Sequence, residues 1–326
     1  MHPTAVSAPP SLPGVADSVL DLIGETPVVR LNRLAPAGGA QVLVKLEGRN
    51  PGGSAKDRPA LALVRDAEDS GALRPGAAIV ESTSGNTGIG LALVGRVTGH
   101  PVVIVHGGTM SPEKLALLRL YGAELVEADW SAGPENPENP RAVADRIAAE
   151  RGGWRSHQYD NPSNPNAHFR FTGPEIWRQT GGALTHFVAG IGTGGTISGT
   201  GRYLREVSGD RVRVIGADPA GSRYGGGPAG DIRVEGVGTN WPSSHWPRNL
   251  DPAVPHEIRS VPDDVAFATV RRMAEQEALL VGPSSGLAVA VALEVAAELD
   301  QRSVVLAVAP DSATNYLTEL AAADVR

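Results

Sequence analysis

The sequence predicts an α/β protein built on parallel, twisted sheets covered by helices on both faces. Strand-like and helix-like segments alternate through nearly the whole chain, the pattern of βαβ units. Glycine is abundant, at 40 residues, and aromatics make up only 4%. Tight strand-to-helix turns need the first, and cores of Ala, Val and Leu permit the second. A length of 326 residues allows one large domain or two of ordinary size.

Val42–Leu46 reads as a strand, and Arg58–Ser70 as a helix ended by Gly71. Ala77–Val80 is a strand, followed by the glycine-rich stretch Ser82–Gly88 and an apolar helix to about Val97. Pro101–Val105 is a strand. Ser111–Tyr121 is a helix, opened by Ser as cap and Pro at its first position. Glu124–Val126 is another strand. Ser131–Pro140, rich in Pro, Asn and Glu, reads as a surface loop before a helix over Arg141–Arg151. Thr185–Ala189 and Val212–Gly216 are strands flanking a helix from Gly195 to Val207. Asp263–Gln276 and the Ala/Val-rich Ser285–Leu299 are helical, and Ser303–Val308 is a buried strand. Ser222–Asp251 is irregular, and no repeat is apparent.

Composition narrows the function classes. A formal net charge of −7, with no basic stretch, gives nucleic acid no phosphate-tracking surface. The absence of cysteine removes disulfides, thiolate metal sites and a cysteine nucleophile, and fits a reducing compartment. No metal site is expected. Residues 1–18 lack the charged start and apolar core of a secretory signal and read as a flexible arm. No apolar run is long enough to cross a bilayer, so the chain is expected to be soluble and cytoplasmic.

Four short segments carry chemistry. Gly190-Ile-Gly-Thr-Gly-Gly-Thr-Ile-Ser-Gly199 follows a strand and opens a helix, where backbone N–H groups and the helix dipole favour an anion. Gly190, Gly192 and Gly195 also fit G-x-G-x-x-G, with Asp218 ending the next strand; a nicotinamide dinucleotide is therefore a rival to any other phosphate ligand. More than half the chain precedes this loop, and Pro219 lets Asp218 be a turn cap, which weighs against the dinucleotide. Glu81-Ser-Thr-Ser-Gly-Asn-Thr-Gly88 offers more small hydroxyls and amides than a helix cap needs, and suits a carboxylate. Lys56, in Asn50-Pro-Gly-Gly-Ser-Ala-Lys-Asp-Arg58, sits among small residues at a helix mouth. The positive end of the dipole favours its neutral amine, the form that condenses with a carbonyl. Ser284 and Ser285, in Val281-Gly-Pro-Ser-Ser-Gly286, read locally as caps of the next helix.

Together with Gly24-Glu-Thr-Pro-Val-Val-Arg-Leu-Asn32, these motifs, in this order, resemble the fold-type II pyridoxal phosphate enzymes of the cysteine synthase and cystathionine β-synthase family. The likeness runs from about Val19 to Leu320. It implies a two-domain fold: residues 19–46 and 160–326 form a large cofactor-binding domain, and residues 47–159 a small, mobile domain that closes on substrate. It also implies pyridoxal phosphate on Lys56, which moves the α-proton. Asn86 would bond the ring hydroxyl; Gly192, Thr193, Gly194, Gly195 and Thr196 would cradle the phosphate; Ser284 would face the pyridine nitrogen. Thr83, Ser84, Thr87 and Gln158 would hold the substrate carboxylate. The implied reaction is β-replacement on serine or an O-activated serine through an aminoacrylate, by a homodimer.

Gly216–Ser222, Val234–Gly238, Glu277–Val281 and Pro310–Tyr316 most resemble cystathionine β-synthase, so homocysteine is the first expected acceptor. Sulfide, or an amine as in a diaminopropionate-forming synthase, is the alternative. The likeness stops near the end of that core, which predicts no appended regulatory domain pair. Three features depart from the family: Ser82 after Glu81, His106–Ser111 before the mobile helix, and Thr239–Trp246. In them Trp241 and Trp246 read as packing residues and His106 as a surface loop histidine. The rivals from other classes are a nicotinamide-dependent oxidoreductase and a non-catalytic relative.

Overall fold

The computed structural model describes residues 14–323 apart from 108, 109, 130, 132 and 134, so most of the arm expected over residues 1–18 lies outside the described residues. The chain opens with β1 (Val28–Arg30), β2 (Gln41–Leu46), α1 (Asp57–Asp69), β3 (Ile79–Ser82) and α2 (Asn86–Thr98). It continues through β4 (Val102–His106), α3 (Pro112–Leu120), β5 (Glu124–Glu127), α4 (Pro140–Arg151) and β6 (Trp154–Arg155). A helical run holds α5 (Ser163–Ala167) and α6 (Gly173–Gln179), joined by one π-turn, and leads to β7 (His186–Gly190), α7 (Gly195–Ser208) and β8 (Arg213–Pro219). The last elements are β9 (Glu257–Val261), α8 (Asp263–Glu277), α9 (Pro283–Ala297), β10 (Val304–Ala309) and α10 (Leu317–Ala323).

These strands form two sheets. One has six strands in the order β1-β2-β10-β7-β8-β9, and the other has four in the order β5-β4-β3-β6. All pairings are parallel except β1 with β2, where Val28 faces Lys45. The exception follows from the connection: residues 31–40 contain no helix, and a parallel neighbour would require a crossover. Every residue of β10 and β4 is buried, as expected of strands covered on both faces.

Each sheet packs helices on both sides. Leu287, Val291 and Val295 of α9 join Val42, Val188 and Val305 on one face of the larger sheet; Ile197 and Leu204 of α7 join Phe187 and Leu306 on the other. Helix α9 is buried along residues 283–292, between the sheet and α8, which is why its sequence shows no polar stripe there. In the smaller sheet, α1 and α2 cover one face and Val143, Ala144 and Ala148 of α4 the other.

A buried ion network ties α1 to the larger sheet. Arg58 Nε donates to Glu47 at 2.6 Å and its Nη1 to Glu175 of α6 at 2.6 Å, while Lys45 of β2 donates to Glu175 at 2.8 Å. This clamp fixes the mouth of α1, and with it the residue just before the helix, Lys56.

Candidate active site

The C-terminal ends of β3, β7 and β10 face one cleft of about 410 Å³. Helices α2, α7 and α9 begin there, and Lys56 caps α1 beside them. Four sets of unpaired helix N–H groups and four positive dipole ends thus converge on one space, a setting for anions and for a neutral amine. Lys56, Thr83, Ser84, Asn86, Thr87, Gln158, Gly192, Thr193, Gly194, Thr196 and Ser284 all line it. Gly195 lies behind that wall, at the first position of α7.

Lys56 is held by backbone. Ala55 N donates to Pro310 O at 2.7 Å, Ser54 bridges Asp311, and Lys56 N donates to Ser54 Oγ at 3.2 Å. Burial pushes its amine below the usual lysine range, against the pull of Asp311 and Glu47. That is the direction that favours the uncharged amine.

The Gly190–Gly199 loop is a cradle by exclusion. A Cβ at Gly192 would lie 2.2 Å from Gly236 O, and one at Gly195 2.0 Å from Asn164 Oδ1. Gly194 has φ +82°, where a side chain is strained, and a Cβ there would meet Leu250 at 2.5 Å. Asn164 Nδ2 donates to Thr193 Oγ1 at 3.1 Å and to Gln158 O at 2.7 Å, so the loop and the opposite wall share a brace. Thr196 Oγ1 lies 3.3 Å from His168 Nε2, and burial drives that imidazole down to about 3, so it stays neutral. Bare N–H groups at the start of α7 suit a phosphate dianion.

Glu81 organises the carboxylate-sized loop. It is buried at the end of β3 and accepts from Ser156 Oγ, from Gln158 N at 3.0 Å and from Arg155 Nη1 at 3.0 Å. Gln158 Oε1 in turn accepts from Thr87 Oγ1 at 2.6 Å. Glu81 is thus a buried acid that positions Gln158, and Ser82, where the sequence departs from the family, donates its backbone N–H to Glu81 Oε1 at 2.7 Å. Asn86 Nδ2 donates to Asp311 Oδ2 at 2.6 Å, and Tyr316 OH donates to the same oxygen at 2.6 Å.

Two sequence expectations need correction, and the turn-cap reading of Asp218 holds. His106 is buried at the end of β4, its Nδ1 2.9 Å from Gly107 O, and is no surface loop residue. Trp241 lines the cleft, although it reads in the sequence as a packing residue; Trp246 does pack, edge-on to Tyr224 at 5.0 Å. Asp218 is buried and accepts from Gly225 N at 2.9 Å, which makes it a brace for its own turn and leaves the dinucleotide fingerprint without its acidic partner. The sequence reading also missed Lys114, Arg141, Tyr159, Tyr224, Glu235 and Tyr316, all on the cleft wall. Glu235 and Tyr316 lie in segments singled out by their family likeness and Tyr159 beside Gln158, whereas Lys114, Arg141 and Tyr224 carry no local signal and reach the cleft only through tertiary packing.

The comparisons agree with this geometry. Residues 19–311 match the family model described as "Pyridoxal-phosphate dependent enzyme". The chain is 43% identical to "Cysteine synthase 1" of Neurospora crassa, over 94% of this chain and 84% of that protein. It is 38% identical to "Cystathionine beta-synthase" of Apis mellifera, over 94% of this chain and 61% of that protein. The solved structure of an O-ureido-L-serine synthase superposes with a TM-score of 0.88 at 40% identity, covering 94% of this chain and 95% of its own. The oxidoreductase and non-catalytic readings fall away, and the chain belongs to the pyridoxal-phosphate-dependent enzymes, as a β-replacement enzyme of the cysteine synthase and cystathionine β-synthase group.

Proposed function

We propose that this enzyme replaces the β-substituent of an O-activated L-serine, with pyridoxal phosphate on Lys56 and sulfide as the incoming nucleophile. The observation that carries the site assignment is the convergence of Lys56, three helix starts and the Cβ-excluding glycine cradle on a single cleft. The homocysteine acceptor expected from sequence gives way to sulfide because likeness to the cysteine synthase, 43%, exceeds that to the cystathionine β-synthase, 38%.

The cofactor, when bound, supplies the electron sink that makes the substrate's α-proton acidic. The chain's own residues do the rest. Gly192, Thr193, Gly194, Gly195 and Thr196 hold the phosphate by backbone and hydroxyl donors, Asn86 the ring hydroxyl and Ser284 the ring nitrogen. Thr83, Ser84, Thr87 and Gln158 hold the substrate carboxylate, which directs the α-hydrogen toward the Lys56 amine. A hydroxyl at Ser284, in place of a carboxylate, would face the ring nitrogen without giving it a negative partner. Residues 47–159 close over the carboxylate and exclude water. The homodimer belongs to this reading too.

A second reading has support of its own. The O-ureido-L-serine synthase superposes over 94% of this chain, so an acceptor larger than sulfide is the alternative. Competition decides. L-serine, O-acetyl-L-serine and O-phospho-L-serine are offered with sulfide, homocysteine or hydroxyurea, and products are separated by mass. Cysteine from an O-activated serine is expected to form fastest; faster cystathionine or O-ureidoserine would overturn the sulfide assignment.

The cradle makes its own prediction. Gly195→Ala puts a methyl into Asn164, and overpacking of this kind costs about 1–3 kcal/mol, so cofactor affinity is expected to fall about 10- to 100-fold. Equilibrium dialysis against pyridoxal phosphate measures this, and unchanged affinity would remove the phosphate from this loop.

A further inference from the structure

Two lysines and one arginine line the cleft: Lys56, Lys114 and Arg141. Lys56 is committed to the cofactor in the function proposed above. Lys114 Nζ sits 2.7 Å from Glu235 Oε2 and 4.0 Å from the Tyr316 ring centroid, so its charge is answered. Arg141 differs. Among the described residues no carboxylate pairs with it, and its buried Nε has no hydrogen-bond partner.

Its position is nevertheless fixed. Arg141 stands in the first turn of α4, with its guanidinium carbon 4.1 Å from the Tyr159 ring centroid and 4.9 Å from that of Trp241. Tyr159 follows Gln158 on one wall, and Trp241 belongs to the opposite rim. That rim is braced: Trp241 N donates to Thr239 Oγ1 at 3.2 Å, and Trp246 Nε1 to Trp241 O at 3.1 Å. A guanidinium between aromatic rings keeps its charge, loses little further side-chain entropy on binding, and presents its donors only in its own plane. In-plane paired donors match a carboxylate or a phosphate.

We infer that Arg141 is a specificity-determining residue, reading an anionic group on a reactant other than the α-carboxylate. That group is a carboxylate or phosphate, borne either by the β-substituent that leaves or by the nucleophile that enters. This rests on the cleft performing β-replacement, as proposed above. The α-carboxylate has its own loop around Thr83–Thr87, so Arg141 serves a second anion. No bond forms or breaks at Arg141 itself.

The test uses the cofactor-loaded enzyme and two substitutions, Arg141→Gln and Arg141→Lys. Donors are O-phospho-L-serine and O-acetyl-L-serine, each with sulfide; acceptors are homocysteine and 2-mercaptoethanol, each with O-acetyl-L-serine. For the pair that Arg141 reads, the ratio of kcat/KM for the anionic over the neutral partner is expected to fall at least tenfold in Arg141→Gln and to recover partly in Arg141→Lys. A fall confined to the donor pair assigns the leaving group, and one confined to the acceptor pair assigns the nucleophile. A uniform loss across all pairs, or none, overturns the inference and leaves Arg141 a packing residue. A second readout needs neither turnover nor a folded variant at position 141. Inorganic phosphate titrated into the loaded wild type is expected to change tryptophan fluorescence saturably, and Trp241→Phe to abolish that change. A wild type that shows no saturable change overturns the anion site. Absence of turnover with every pair, alongside an intact phosphate response, would instead reject the β-replacement chemistry assigned to the cleft.

Discussion

Lys56→Ala is expected to lower β-replacement turnover by at least about 10³-fold, within the roughly 10²–10⁴ that a positioned general base contributes. The reason is geometric. In the function proposed above, Thr83, Ser84, Thr87 and Gln158 hold the carboxylate on one side of the cleft and the glycine cradle anchors the other, so a substrate between them meets one amine whose pKa burial lowers. The other lysine of the cleft, Lys114, is bound to Glu235 at 2.7 Å and cannot substitute for it. The change removes side-chain atoms from a wall of small residues and breaks no side-chain hydrogen bond or ion pair among the described residues, so folding should be spared. Steady-state assay of the cofactor-loaded variant reads the loss. Borohydride treatment followed by peptide mass mapping is the companion measurement: wild type should retain the cofactor's mass on the peptide containing residue 56, and the variant should not. Retention of more than a tenth of wild-type turnover would mean that another group moves the proton.

How much of this could be read from the chain alone depends on the range of the forces involved. The buried strands β4 and β10 declare themselves as near-continuous runs of Val, Ile, Leu and Ala, and β3, β7 and β8 by shorter apolar stretches such as Ile79-Val80 and Phe187-Val-Ala189, because burial on both faces favours apolar residues on both. Edge strands do not. In β9, Glu-Ile-Arg-Ser-Val is half polar, and β1 pairs antiparallel by virtue of a connection whose length carries no pattern. The segment through α5 and α6 is also silent, since its polar residues Asn164, His168 and Glu175 are buried for their partners elsewhere in the fold. The candidate site divides in the same way. Lys56, Asn86, Ser284 and the glycine loop sit at helix starts, where local chemistry marks them. Arg141 needs Tyr159 and Trp241, 18 and 100 positions away, to become a fixed cation, and Lys114 needs Glu235 to become a neutralised one. Their roles come from contacts that no window of sequence contains.

Arg58→Ala is expected to destabilise the protein by about 3–5 kcal/mol, the cost of removing one partner from a buried ion pair. Arg58 makes four contacts with two carboxylates: Nε to Glu47 at 2.6 Å, Nη2 to Glu47 at 2.9 Å, and Nη1 and Nη2 to Glu175 at 2.6 and 2.7 Å. Burial alone would raise the Glu175 carboxyl, yet Arg58 and Lys45 hold it at about 2, below its ordinary 4.5. Burial opposes Glu47 likewise, and Arg58 and Thr26 hold it down. The sign follows from proton linkage. A depressed carboxyl contributes its full stability above pH 4.5 and loses it as pH falls toward 2, so this network in wild type favours the native state more at pH 7 than at pH 3. Without Arg58, the fully buried Glu47 keeps the neutral donors Thr26 and Asn50 and the more distant Lys45 charge, and burial raises its carboxyl instead. A raised carboxyl takes up a proton on folding, so the variant should gain stability as pH falls from 7 toward 5. Adding Glu47→Gln to Arg58→Ala should remove that pH dependence and recover part of the loss, because the uncompensated charge is gone. Arg58→Lys should fall between, since an ammonium cannot engage both carboxylates in parallel. Urea melts at pH 7 and pH 5 measure all three variants. If Arg58→Ala and wild type show the same slope between these pH values, the carboxylates are not held by Arg58 and the clamp at the mouth of α1 has another source.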